Sequence, residues 1–263
     1  MALPVYVVDA FTQKAFKGNP AAVCPLEAWP SDHELQAIAS EMALSETAFI
    51  VPRRRDYHIR WFTPTMEIDL CGHATLAAAL VVFDELGAPK DQIVFHSQSG
   101  PLSVARENGR LVLDFPERIA RPIASSGPVL AALGVAATEV LQARDTVVVV
   151  KSAEIVRTLQ PNFEAIAALP TFAVAVTAPG TGHDSDVDYV LRFFSPGSGI
   201  PEDPVTGSAH CSLAPYWAKV LGRTTLRARQ VSKRGGEIWL EHVHDRVRIA
   251  GHAVMTLRGS LLP

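Results

Sequence analysis

The sequence predicts an α+β protein built of two similar halves, each a β-rich layer wrapped around one helix. Three observations lead there. Short strand-like runs bounded by Gly, Pro or polar clusters fill most of the chain. Each half carries one conspicuous apolar helical run, and the order of elements in the first half returns in the second.

In the first half the strand runs are "VYVVDAF", "AAVCPL", "TAFIVPR", "HIRWFTP", "QIVFHS" and "RLVLDFP". Two helical stretches interrupt them. Around 31–44, "SDHELQAIASEMAL" offers Ser31 or Asp32 as N-cap and Leu35, Ile38 and Met42 as an apolar stripe. The second helix follows Cys71 and Gly72 and runs to about Leu86, before the turn residues Gly87 and Pro89. In the second half, "TEVLQARDTVVVVKS", "FAVAVTAP" and "DYVLRFFSP" read as strands. "GSAHCSLAPYWAKVLG" then reads as a helix ending at Gly222, followed by the strand pair "GEIWLEHV" and "RVRIAGHAVMTL".

The internal match is direct. "RWFTP" (60–64) aligns with "RFFSP" (192–196), and "CGHATLAAA" then lies over "TGSAHCSLA". Gly72 comes eight residues past Pro64 and Gly207 eleven past Pro196, a three-residue insertion in the second copy. The halves divide as 1–117, with Glu46 and the Cys-Gly-His helix start, and 122–263, with the "EDPVTGSAH" helix start. The segment 115–128, "FPERIARPIASSGP", is the crossover.

Composition narrows the function classes. The 263 residues are 48% hydrophobic and 19% charged with a net charge of −3, which suits a soluble globular protein and argues against a polyanionic partner such as nucleic acid. Arg53, Arg54 and Arg55 sit between two strand runs beside Asp56, as a solvated hairpin turn does. The three cysteines, Cys24, Cys71 and Cys211, have no paired spacing and read as free thiols of a reducing compartment. No signal-peptide pattern opens the chain, and the longest apolar run, 74–83, is too short to span a bilayer. The expected location is cytoplasmic.

The triplet Cys71-Gly72-His73 admits three chemistries: a thiol nucleophile with its base, part of a metal site, or a helix start that holds an anion. Neighbouring residues do not reliably make a nucleophile–base pair, because the fold assembles such pairs. A metal site needs three or four ligands, and the chain has no CxxC and no HExxH, so no metal is expected. His242 and His244 read as a solvated strand end. A glycine-opened helix start presents unsatisfied N–H groups and the positive end of the macrodipole, and the motif occurs twice. A small carboxylate is the obvious guest. For one copy alone, a tight turn with Cys71 or Thr206 as cap would explain as much. Glu46, in "ALSETAFIV", has no carboxylate counterpart in "AALPTFAVAV". Flanked by Ala48, Phe49 and Ile50, it has the dry surroundings that suit proton transfer near neutral pH. From pattern alone, a surface glutamate at a strand start is the simpler reading.

The residues "VDAF" with "GNPAAV" (18–23), "ALSETAF", "FTPTMEIDLCGHATLA" and "GIPEDPVTGSAH" (199–210) resemble the PhzF-like family of phenazine biosynthesis. These motifs run in family order over nearly the whole chain. The resemblance implies the diaminopimelate epimerase-like fold: two β-barrel-like halves, each around a central helix, with the active site between them. It implies a cofactor-independent isomerase of a small unsaturated or cyclic carboxylic acid, since the best-understood member isomerises a dihydro-hydroxyanthranilic acid. By this resemblance Glu46 is the carboxylate that moves a proton between carbons, with His73 and Asp203 as its catalytic companions. The resemblance also implies that Ser45, Gly72, Gly207 and Ser208 are substrate contacts, and it makes a homodimer the expected assembly. The epimerase relatives use two opposed thiols. Here Cys71 holds one such position and Thr206 the other, and a hydroxyl is too weak an acid and base to replace a thiol. The alternatives are a family member that binds a small acid or a protein partner without turnover, and a hydrolase or lyase dependent on Cys71.

Overall fold

The computed structural model describes residues 2–87, 91–124 and 126–262; Pro89, expected in a turn, lies outside them. Two units emerge, Met1–Asp114 with Ala250–Pro263, and Phe115–Ile249. The last stretch, 250–263, which the sequence reading left with the second half, therefore belongs to the first unit.

In the first unit β1 (Leu3–Ala10), β2 (Asn19–Pro25), α1 (Asp32–Met42), β3 (Glu46–Arg53), β4 (Asp56–Phe62) and β5 (Glu67–Ile68) lead to α2 (Gly72–Asp84). Strands β6 (Gln92–Ser97), β7 (Gly100–Glu107) and β8 (Arg110–Pro116) follow. The second unit contains β9 (Arg121–Pro122), α3 (Gly127–Leu133), β10 (Glu139–Gln142), β11 (Thr146–Val149), α4 (Ala153–Thr158) and α5 (Phe163–Ala167). It continues through β12 (Val174–Pro179), β13 (Tyr189–Ser195), β14 (Ile200–Asp203), α6 (His210–Leu221), β15 (Thr225–Gln230), β16 (Gly236–Val243) and β17 (Arg246–Gly251). Finally β18 (Ala253–Leu261) pairs antiparallel with β1.

The pairing repeats step for step. Strands β1–β2 are antiparallel, β2–β3 parallel, β3–β4 antiparallel, β4–β6 parallel and β6–β7 antiparallel. In the second unit β10–β11, β11–β12, β12–β13, β13–β15 and β15–β16 follow the same alternation. The aligned arginines repeat too. Arg60 on β4 forks onto Glu67 of β5 at 2.7 and 2.6 Å, and Arg192 on β13 forks onto Glu202 of β14 at 2.7 and 2.8 Å. Each guanidinium also lies over a ring two residues on, Phe62 at 5.1 Å and Phe194 at 5.0 Å. Such bidentate pairs pin the short strand that precedes each helix start.

The helices differ between units. Residues 72–79, Val81 and Val82 of α2 are buried, so it is apolar all round and central to its unit. Each large side chain there, such as Leu76, contributes about 1.5–3 kcal/mol. By contrast α6 leaves Lys219, Val220 and Leu221 exposed, ends at left-handed Gly222 as expected, and begins later than expected. Gly207–Ala209 form a 3₁₀ turn and the α-helix starts at His210. The expectation of a single helix in the second half also needs correction. Helices α3, α4 and α5 pack Val129, Leu133, Val156 and Ile166 onto strand residues such as Val148, Val174 and Phe194. They are only 5–7 residues long, too short to leave a periodic pattern. Two runs read as single strands are hairpins or pairs: 138–152 divides into β10 and β11, and 246–257 into β17 and β18.

Other expectations hold. Ser31 caps α1, its hydroxyl accepting from Glu34 N at 3.2 Å, and Leu35 is buried while Ile38 and Met42 pack partly buried beside it. Arg53 pairs with Asp56 across a turn in which Arg54 is left-handed. All three cysteines are free and buried. Among the described residues no helix is long and apolar enough to cross a membrane.

Candidate active site

In the first unit the site is assembled by β2, β3 and the start of α2. The parallel register sets Ala21 beside Glu46, and Asn19 lies two residues before Ala21, on the same face of β2. Entry to β2 depends on Gly18. Its φ is +66°, and a Cβ there would meet Ala10 O at 2.1 Å, so another residue would displace the strand start. Strand β3 is buried on both faces from Glu46 to Val51, with α1 and α2 packing on it, which leaves Glu46 only 7% exposed. The solvated glutamate favoured by pattern alone is thereby corrected.

Glu46 Oε2 lies 3.1 Å from Nε2 of His73, which is 4% exposed. The approach is off a hydrogen-bond axis, and neither atom has a hydrogen-bond partner among the described residues. The other imidazole nitrogen, Nδ1, is 3.1 Å from Asn19 Nδ2 and 3.5 Å from Cys71 Sγ. Ser45, half-buried, donates its hydroxyl to Asn19 Oδ1 at 3.0 Å. Cys71 occupies the N-cap position of α2, but its side chain makes no capping hydrogen bond, so the sulfur is a wall of the site rather than a cap. Its carbonyl is held by the Thr75 hydroxyl at 2.5 Å.

Burial pushes the Cys71 thiol up, and the Glu46 charge pushes it further. For His73 burial works against the charged ring, but Cys71 and Glu46 beside it outweigh that and hold it well above the ordinary imidazole value. Glu46, Cys71 and His73 also place one potential ligand atom each within 4.8 Å of one another, a set that could hold a metal ion. Their disposition fits poorly. Cys71 meets Nδ1 and Glu46 meets Nε2, so the ring stands between the two acids, whereas an ion takes a single nitrogen. The set is better matched to sharing protons.

In the second unit the corresponding group is polar and hydrogen-bonded. The Thr206 hydroxyl donates to Asp203 Oδ2 at 2.5 Å, and buried Gln230 accepts from Thr206 N at 2.8 Å while donating to Asp203 O at 2.6 Å. Asp203 and Ser208 are half-buried and Gly207 is buried. His242, expected at a solvated strand end, is half-buried and sits 2.7 Å from Glu117 Oε2.

A family model described as phenazine biosynthesis-like protein matches residues 8–259. The chain belongs to this phenazine biosynthesis-like family. The uncharacterized isomerase PA3578 of Pseudomonas aeruginosa is 48% identical over 262 residues, 99% of either chain. A crystal structure of a PhzF-family phenazine biosynthesis protein from Enterococcus faecalis superposes with a TM-score of 0.95 at 46% identity, covering 100% of both chains. The hydroxyproline epimerase of Agrobacterium vitis, at TM-score 0.62 and 10% identity over 99% of this chain and 92% of its own, shares the fold. The α+β, epimerase-like fold is thus established, and the chain is an isomerase of the phenazine biosynthesis-like family.

Two buried polar residues of this family member escaped the sequence reading. Asn19 stood inside the quoted "GNPAAV" without a role, although a polar residue opening a buried strand was a usable signal. Gln230 closes the alternating run of β15, and nothing in its neighbours marked it as buried.

Proposed function

We propose that this isomerase moves a proton between two carbons of a small unsaturated or cyclic carboxylic acid, with no cofactor, using Glu46 as both acid and base. One observation carries the reading: Glu46 Oε2 and His73 Nε2 are buried 3.1 Å apart, and neither is engaged in a hydrogen bond. A buried carboxylate oxygen and a buried imidazole nitrogen left without hydrogen bonds are rare in a purely structural role and suit groups that await a substrate proton.

In this mechanism Glu46 takes a proton from an acidic C–H of the conjugated acid and returns it to another carbon on the same face. His73 steadies the charge on Glu46 before the first transfer and after the second, while between them Glu46 is the neutral acid that holds the proton. Within the first unit, the N–H groups at the Gly72 helix start and the Ser45 hydroxyl bind the carboxylate and polar substituents. General acid–base catalysis supplies roughly 10²–10⁴-fold, and positioning supplies the rest.

The test is proton NMR in D₂O on a panel of unsaturated and amino-substituted small carboxylates. Deuterium entering a carbon position of at least one compound is the expected result. Saturable binding without exchange would contradict turnover and favour a small-acid binding protein. One observation favours a second reading, a Cys71 nucleophile: its sulfur is 3.5 Å from His73 Nδ1. Burial, which keeps the thiol protonated, weighs against it.

A further inference from the structure

We infer that Asn19 is a positioning residue that sets the tautomer of neutral His73, placing its ring proton on Nε2, toward Glu46, and that opposes a second proton on Nδ1. The role rests on the reading of Glu46 as the base. Asn19 is fully buried at the first position of β2. In its amide Oδ1 accepts from the Ser45 hydroxyl at 3.0 Å and the NH₂ end meets His73 Nδ1 at 3.1 Å. An amide nitrogen donates and never accepts. Nδ1 therefore offers a lone pair, and in the neutral ring the proton belongs on Nε2, 3.1 Å from Glu46 Oε2.

A second consequence follows from the same geometry. Glu46 pulls a second proton onto the ring, and that proton has only Nδ1 to occupy, where it would face the hydrogens of the Asn19 amide. Asn19 thus opposes the imidazolium and moderates the pull of Glu46. An aspartate at position 19 would reverse the effect, since a carboxylate accepts from Nδ1–H. The arrangement parallels catalytic sites in which a partner on one imidazole nitrogen dictates what the other nitrogen can do.

The experiment is ¹⁵N NMR of histidine-labelled resting protein from pH 6 to 10, with His73 assigned by difference from His73→Gln. Neutral His73 should carry its proton on Nε2 in the wild type. The midpoint of its titration should rise by a unit or more in Asn19→Asp and less in Ser45→Ala, which leaves the amide in place but unanchored. Asn19→Ser should show the neutral ring as a mixture of tautomers, and Ser45→Ala serves if Asn19 variants fold poorly. A wild-type ring protonated on Nδ1 when neutral, or midpoints unmoved in all folded variants, would overturn the assignment. These spectra need no substrate, so they stand apart from a failure of the Glu46 reading. With a substrate in hand, Asn19→Asp should slow carbon deuteration roughly 10–100-fold at pH 7, within what acid–base catalysis supplies, and shift its pH profile with the His73 midpoint.

Discussion

At the scale of single residues, the chemistry reduces to which groups hold protons. Burial and the Glu46 charge push the Cys71 thiol up, and the position aligned with it in the second repeat is Thr206. Cys71→Ala should therefore keep carbon exchange within about threefold of wild type, and iodoacetamide at pH 7 should leave activity intact, because the thiolate is the reactive form. Loss of exchange in both experiments would restore the thiol mechanism. How much of the site was legible follows from how each residue is recruited. Ser45, Glu46, Cys71, Gly72 and His73 lie in runs whose motif identifies them, and the fold does bring Ser45, Glu46 and His73 into one network with Cys71. Asn19 joins through strand pairing with residues 26 or more positions away, which no local pattern expresses.

At the scale of elements, the duplicated arginine forks tie sequence repeat to structure. Arg60 and Arg192 are 20% and 12% exposed, and each holds both oxygens of one glutamate. Arg60→Lys keeps charge but loses the fork, so it should cost about 1 kcal/mol, and Arg60→Met, which leaves Glu67 the Gln98 amide but neither guanidinium bond, about 2 kcal/mol. Urea unfolding checks the values, and a matching loss for Arg192→Met is expected if the two forks do the same work. The repeat was legible because arginine, aromatic ring and glycine recur in order. The short helices were not, since α4 and α5 owe their helical state to the strands they cover. The late start of α6 was hidden for a related reason. "GSAH" fits a 3₁₀ turn and an α-turn equally well until the chain on either side is fixed.

For the whole molecule, buried titrating groups set how stability depends on pH. His210 is fully buried with Nδ1 2.6 Å from the Tyr189 hydroxyl, and burial lowers its pKa from 6.5 to about 3. The unfolded chain takes up a proton below pH 6.5 that the folded protein refuses until about pH 3. His210 thus contributes nothing adverse above pH 6.5, and stability falls through that window by up to about 1.4 kcal/mol per pH unit. Thermal melts of wild type and His210→Gln at pH 7 and 5 should show the larger acid loss in wild type; equal slopes would contradict it. A separate window lies lower. Asp184, 1% exposed, is held by Arg157 at 2.6 and 2.7 Å and Arg229 at 2.9 Å; burial opposes its charge, but the two guanidiniums lower its pKa below 3.8. Its stabilisation is present above that value and lost as pH falls through the folded pKa. Asp184→Asn should cost about 2 kcal/mol at pH 7, chiefly by taking the carboxylate from Arg157, since Arg229 keeps Asp186 and Glu237. The division into similar halves was readable from the repeat, whereas the return of β18 to β1 was not, because it joins the two ends of the sequence.

The central claim is that one buried carboxylate carries the proton, and Glu46→Gln tests it most directly. Glutamine keeps the shape of the side chain and removes the base. With circular dichroism and melting temperature close to wild type, deuterium incorporation into the substrate carbon should fall by at least about 10²-fold. A Glu46→Gln protein that exchanges within a few-fold of wild type would contradict the account.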